Sequence, residues 1–173
     1  MFIGATAKCS PDGWIDDCDR KYPAKYPRGP FRKPPTSIVI HRGQGPGNIA
    51  KYFSHCSDGR KVSAHFAVQK DGSIYQCVSL NSGAYHAGSP WNASSIGIEH
   101  QGPIGSDWPQ PQCIALVNLV DFLVGHYPTI KQIVFHSVIS QTHIDPGVNF
   151  PQYIVSVWRS IGLDVVTKKT KPT

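Results

Sequence analysis

Ser37-Ile38-Val39-Ile40-His41 is an apolar run that ends in a histidine. It follows Pro34-Pro35 and reads as a buried strand. Two later segments have the same character: Ser95-Ile96-Gly97-Ile98-Glu99-His100, and Gln132–Phe135 with His136 directly after it. Ala64–Gln69 and Ser73–Ser79 are apolar-rich runs joined by Lys70-Asp71-Gly72, and an Asp-Gly turn between such runs signals a hairpin. A short helix capped by Asn48 is expected over Asn48–His55. Over Gln112–Tyr127 the apolar residues Ile114, Leu116, Val117, Leu119, Val120, Leu123 and Val124 recur at helical spacing until Pro128. A closing helix is expected over Pro151–Ile161, ended by Gly162, and residues 80–94 read as loop throughout. Strands interleaved with helices predict an α/β fold, a central mixed β-sheet flanked by helices.

The 173 residues suit one domain, long enough to bury about two-thirds of its unfolded surface. Residues 1–35 carry Pro23, Pro27, Pro30, Pro34 and Pro35, which rule out long regular structure. They are expected to form an extended arm packed on the domain through Trp14 and Ile15. The domain proper is placed at residues 36–164, with 165–173 as a basic tail or the start of a linker. No apolar run approaches the ~20 residues of a membrane span. The N-terminal residues lack a basic start and a full apolar stretch, so no secretory signal is read there. Synthesis in the cytoplasm, with action outside it only after release by another device, is the corresponding expectation.

The net charge of +6 points to a solvated basic surface or to attraction for a polyanion, either nucleic acid or an anionic cell wall. No phosphate loop, zinc-finger spacing or RNA-binding motif accompanies it, so nucleic acid is not expected as a partner. The five cysteines form no CxxC pair. Cys77 and Cys113 sit in apolar patterns as small core residues, and Cys9 with Cys18 would pair only in an oxidising space.

The chemistry concentrates at strand ends. His41 and His136 close two predicted strands, and Asp145 follows His136 across a short polar loop that also holds His143. Two imidazoles and a carboxylate suit zinc with the fourth position open to water, which is the arrangement of a catalytic site. Glu99 ends a third strand, where half-burial would raise its pKa and suit it to proton transfer or to orienting a ligand histidine.

From about Thr36 to Ile161 the chain resembles the zinc-dependent N-acetylmuramoyl-L-alanine amidases, the amidase-2 group that includes phage lysins and peptidoglycan recognition proteins. The resemblance rests on ordered pieces: Ile38–His41, Ser63-Ala64-His65-Phe66, Asp71–Gln76, Tyr85-His86-Ala87-Gly88, Asn92–Glu99, Phe135-His136-Ser137 and Asp145-Pro146-Gly147. It implies one zinc held by His41, His136 and Asp145, with His143 as the alternative third ligand. Glu99 is then the acid/base. Some relatives use a tyrosine in the Ser63-Ala64-His65 segment, which Ala64 cannot replace, and this makes Glu99 more necessary. His143 stands where many relatives carry a lysine and is expected to donate to the oxyanion, only partly protonated near neutral pH. His65 is assigned to support of the site by packing and hydrogen bonding. Tyr85, His86, Trp91 and Asn92 are assigned to the substrate groove, and His55, His100 and His126 to structure.

The implied reaction is hydrolysis of the amide between N-acetylmuramic acid and L-alanine in peptidoglycan, by a monomer. A phage endolysin or its catalytic domain is the implied source. A non-catalytic recognition module, a zinc endopeptidase on wall peptides (no HExxH helix is present) and a virion role are the competing readings.

Overall fold

The computed structural model describes residues 3–4, 6–43, 45, 47–56, 58–140 and 142–168. Its centre is β2 (Ser37–Arg42), whose six residues are all buried. On one side β2 pairs with β6 (Ser95–His100), and on the other with β7 (Gln132–Phe135), both in parallel. A strand flanked in this way and covered on both faces must be apolar nearly throughout, which explains the unbroken run from Ile38 to Ile40. Beyond β6 lie β3 (Phe66–Val68), parallel to it, and β4 (Ile74–Gln76), antiparallel to β3 across the Asp71-Gly72 turn. Gly72 takes φ +86° there, and Asp71 Oδ1 accepts the Ser73 N–H at 2.9 Å. β8 (Asp164–Val166) completes the order β4-β3-β6-β2-β7-β8, a mixed sheet as expected.

Side chains alternate across this sheet. Ile38, Ile40, Ile96, Ile98, Phe66 and Ile133 face α2 (Gln110–His126) and α4 (Gln152–Ser160), which contribute Leu116, Leu119, Leu123, Ile154 and Trp158 to the main core. Trp158 packs on Phe150 with ring centroids 5.8 Å apart, and truncating such a buried aromatic costs about 3–5 kcal/mol. On the opposite face Ala67 meets Ala50 and Phe53 of the shorter α1 (Ile49–His55). Asn48 caps α1 as expected, its side chain accepting from Ala50 and Lys51 N–H. That face is only partly covered, and the cleft left open holds the site.

Several elements depart from the sequence reading. Residues 80–94 are not loop throughout: they hold β5 (Ser82–Ala84) and a 3₁₀ turn at Trp91–Ala93. β5 pairs antiparallel with β1 (Pro27–Pro30), so the arm is stitched to the domain by a two-stranded ribbon. β8 runs through Val166, two residues past the expected domain boundary, and Lys169–Thr173 of the expected tail lie outside the described residues. The arm is fixed chiefly by Ile15, fully buried, while Trp14 is only half-buried under Arg20. Ile15 N–H donates to Gln76 Oε1 at 2.8 Å, and Gln76 Nε2 donates to the Gly13 carbonyl at 2.8 Å. All five cysteines are free, with Cys18, Cys77 and Cys113 buried.

Candidate metal centre and cleft

Parallel register carries the chemical groups to one edge. His41 lies beside Glu99 in the β2–β6 ladder, and Ile40 lies beside Phe135 in the β2–β7 ladder, so His136 emerges next to His41. All three stand at the carboxyl ends of parallel strands, where open α/β sheets place their sites. His136 begins α3 (His136–Ile139), a turn that replaces part of the expected loop. The chain then returns, and Ser137 N–H donates to the Asp145 carbonyl at 2.8 Å. This bond fixes Asp145 beneath the two histidines. His136 Nδ1 lies 3.1 Å from Asp145 Oδ1, and His41 Nδ1 lies 3.4 Å from Asp145 Oδ2. One donor atom from each of these three buried residues falls within 4.8 Å of the others.

The protonation of His41 is set by the groups around it. Burial pushes its pKa down to about 4, against the opposing pull of Asp145, so the ring is neutral near pH 7. Its Nε2 lies 3.0 Å from His86 Nδ1, His86 Nε2 lies 3.4 Å from Ser95 Oγ, and Ser95 Oγ donates to the Trp91 carbonyl at 2.7 Å. Because the Ser95 proton is committed to that carbonyl, the chain runs in one direction. His86 donates to Ser95, His41 Nε2–H donates to His86, and the His41 Nδ1 lone pair faces Asp145. Burial, with His41 alongside, keeps His86 well below the usual imidazole range and therefore neutral.

A lone pair facing a buried carboxylate at 3.4 Å is repulsive unless a cation lies between them. Two imidazoles and one carboxylate at this spacing are a donor set that zinc accepts. Asp145 is held well below the ordinary carboxylate range: burial pushes it up, and the hydrogen bond from His136 outweighs that.

Gly97 makes room for the His86 ring. A Cβ at this position would come within 2.6 Å of it, so Ser-Ile-Gly-Ile-Glu needs glycine there. Gly97 N–H donates to His65 Nδ1 at 3.0 Å, and His65 Nε2 donates to the Ser82 carbonyl at 2.8 Å. His65 therefore ties β6 to β5 and touches His86 only edge-on, at 6.0 Å between ring centroids. The side chain that reaches His41 is His86, which also lines the cleft. His100, assigned to structure, lies close behind: its Nδ1 donates to the His41 carbonyl at 2.8 Å.

Glu99 points into the cleft from the partner position of His41. Its Oε2 is buried with no hydrogen-bond partner among the described residues, and burial, with the charge of Asp145 behind it, pushes its pKa up to about 8. An unpaired carboxyl poised between its two protonation states is suited to receive and return a proton. His143 is half-exposed, with Nδ1 3.6 Å from Asp145 Oδ1 and its ring 4.4 Å from that of His136. It stands at the rim, outside the buried cluster of three.

The cleft encloses about 570 Å³ and is walled by Tyr52, Phe53, Arg60, Tyr85, His86 and Gln101. Of the residues assigned to the substrate groove, Tyr85 and His86 line this cleft. Trp91 and Asn92 do not line it. Asn92 Oδ1 accepts the N–H groups of His86 and Ala87 at 2.9 and 2.8 Å, which shapes the loop that presents His86.

Arg42 was missed by the sequence reading, although a charged residue closing a buried strand was a readable signal. Its backbone N–H donates to Asp145 Oδ2 at 3.4 Å, and its guanidinium lies 4.3 Å from the Trp108 ring centroid. The same group donates to Gly102, Ser106 and Asp107, fastening the 102–107 loop to the far side of the centre.

The sequence pattern of the N-acetylmuramoyl-L-alanine amidase family matches residues 31–148. The 1,6-anhydro-N-acetylmuramyl-L-alanine amidase AmpD of Haemophilus influenzae is 29% identical over 84% of this chain and 95% of its own length. The crystal structure of an AmpD derivative superposes with a TM-score of 0.74 at 24% identity, over 87% of this chain and 98% of that one. The endolysin amidase LysCS from Clostridium intestinale gives 0.70 at 24% identity, over 85% and 95%. Those two structural likenesses concern the fold, while the sequence match spans the strands and loops that bear His41, Glu99, His136 and Asp145. The chain belongs to the N-acetylmuramoyl-L-alanine amidase family.

Proposed function

We propose that this amidase uses one zinc ion, held by His41, His136 and Asp145, to cleave the lactyl amide joining N-acetylmuramic acid to L-alanine in cell-wall peptidoglycan. The observation that carries the proposal is the convergence of two imidazoles and a carboxylate beside the unpartnered carboxyl of Glu99. Zinc bound there would supply Lewis acidity for the scissile carbonyl and lower the pKa of a water toward about 7. Glu99 takes the proton of the attacking water and returns it to the departing L-alanine nitrogen. His143 donates to the carbonyl oxygen as it gains negative charge. His86, through His41, holds the ligand tautomer, while Tyr85 offers an aromatic face to the glycopeptide.

The source proposed is a phage endolysin, with the intact wall as substrate. A second reading follows from the name of the Haemophilus influenzae relative, which specifies a 1,6-anhydro-N-acetylmuramyl substrate. Digestion of purified peptidoglycan and of soluble anhydro-muropeptide, each with and without chelator, separates them by product mass. Free stem peptides beginning at L-alanine, released from intact wall and lost with chelator, are expected. Release from the soluble substrate alone favours the second reading. Products cut within the peptide would make the enzyme an endopeptidase, and binding without products a recognition module.

A further inference from the structure

Ten of the seventeen lysines and arginines lie between Arg20 and Lys61, together with one of the eleven carboxylates, Asp58. The rest of the chain carries more acids than bases, so the positive excess belongs to this stretch. Asp58 is paired with Arg60, and among the described residues no other cation of the stretch has a carboxylate partner. Lys21, Lys25, Arg28, Arg32 and Lys33 are all exposed.

The fold lays this stretch along the mouth of the cleft. Lys25 N–H donates to the Phe53 carbonyl at 3.0 Å. The Ser63 hydroxyl donates to the Tyr26 carbonyl at 2.8 Å and accepts from Tyr85 N–H at 3.0 Å. β1, with Arg28, pairs with β5 immediately before Tyr85. Phe53, Ser63 and Tyr85 each form part of the cleft wall.

We propose that the outer face of the arm is a docking surface for a linear phosphodiester polymer of the cell wall, of the poly(glycerol phosphate) type, which keeps the enzyme on its insoluble substrate. Cations every three or four residues from Lys21 to Arg32, with Lys33 adjoining the last, make separate point contacts along an extended segment and enclose no pocket. That pattern suits evenly repeated charges on a flexible chain better than a single compact anion. Nucleic acid fits less well, because sequence-tolerant strand binding needs open aromatic faces for the bases. Here Tyr22 packs on Tyr75 at 5.5 Å and lies under Lys21, Tyr26 lies under Lys25, and Trp14 lies under Arg20. Assigning the polymer to the wall rests on the function proposed above; the cationic surface does not.

The test is co-sedimentation of the zinc-loaded enzyme with purified walls, before and after hydrofluoric acid removes their phosphodiester polymers. Engagement of about five phosphates predicts about a 10²-fold loss of affinity between about 50 and 200 mM salt. Stripped walls should bind at least about tenfold more weakly. The variant K25Q/R28Q/R32Q/K33Q should lose about tenfold on untreated walls, whereas K8Q/K70Q/K131Q/K168Q, with the same change in net charge, should stay within about twofold. Both variants should cleave a soluble muramyl peptide at the parental rate, which shows that they are folded. Equal binding to stripped walls overturns the proposal, as does equal binding by the two variants. Stronger competition by single-stranded DNA than by poly(glycerol phosphate), phosphate for phosphate, overturns it in favour of nucleic acid. Sedimentation needs no turnover, so failure of the amidase reading would appear separately, as an inert parent enzyme on the soluble peptide.

Discussion

Replacing Glu99 by Gln exchanges one oxygen for an amide nitrogen and leaves the side-chain volume unchanged. Zinc content should stay at one per chain while turnover on muropeptide falls about 10²–10⁴-fold, the usual share of general acid–base catalysis. An unchanged rate would place the base elsewhere. A base acts deprotonated, so kcat/KM should fall as pH drops through the Glu99 pKa, and a bound dication would draw that pKa below about 8. His143→Ala should also keep zinc and lose about 10²–10³-fold, the effect of one oxyanion donor. His143→Lys should retain activity and extend it to higher pH, because lysine keeps its proton to about 10. His65 reports on stability instead. Its folded pKa of about 4 lies below the ordinary imidazole value, since burial disfavours the charged ring. The unfolded chain therefore takes up the proton first, and stability is lost as pH falls from about 6.5 to about 4. Urea midpoints measured across that window should drop, and a flat profile would contradict the buried neutral ring.

The elements differ in how plainly the sequence announces them. β2, β6 and β7 are legible because strands buried in a parallel sheet are nearly pure apolar runs, and α2 because Leu116, Leu119, Val120 and Leu123 mark one face. β5 is Ser82-Gly83-Ala84, with no alternation to read, and β1 contains two prolines. Each is a strand only because the other lies beside it. The same limit applies at the site. His41, His136 and Asp145 could be found from strand ends and order, but whether His65 or His86 reaches His41 depends on a loop shaped by the Asn92 amide. Arg42 joins elements that no local pattern connects. Arg42→Ala should cost about 2–4 kcal/mol in urea denaturation, since it leaves the 102–107 carbonyls without their donor and Trp108 without its cation. Arg42→Lys should recover only part of this, because an ammonium cannot span the same fork of acceptors. If Arg42→Ala is as stable as the parent, the loop is held by other means.

For the molecule as a whole, the core does not depend on the cluster of three, because His41 closes β2 and His136 follows β7, strands already paired in the sheet, and Asp145 is held by its backbone bond to Ser137. Chelation should therefore abolish turnover and leave the circular dichroism spectrum largely unchanged; unfolding on chelation would mean that the centre is structural. Deleting residues 1–19 should behave in the opposite way. It removes Ile15 from the core and takes from the Gln76 amide the Ile15 N–H and the Gly13 carbonyl, a loss of more than about 3 kcal/mol in urea denaturation. The ordering of the ladders has one more consequence, for biosynthesis. β2 leaves the ribosome early, yet its neighbours β6 and β7 follow some 60 and 95 residues later, and Asp145 lies 103 positions beyond Arg42. Contacts of such long range form late and slowly. A nascent chain halted between Glu99 and His136 carries His41 and Glu99 but neither His136 nor Asp145, so the cluster of three cannot assemble until synthesis is nearly done.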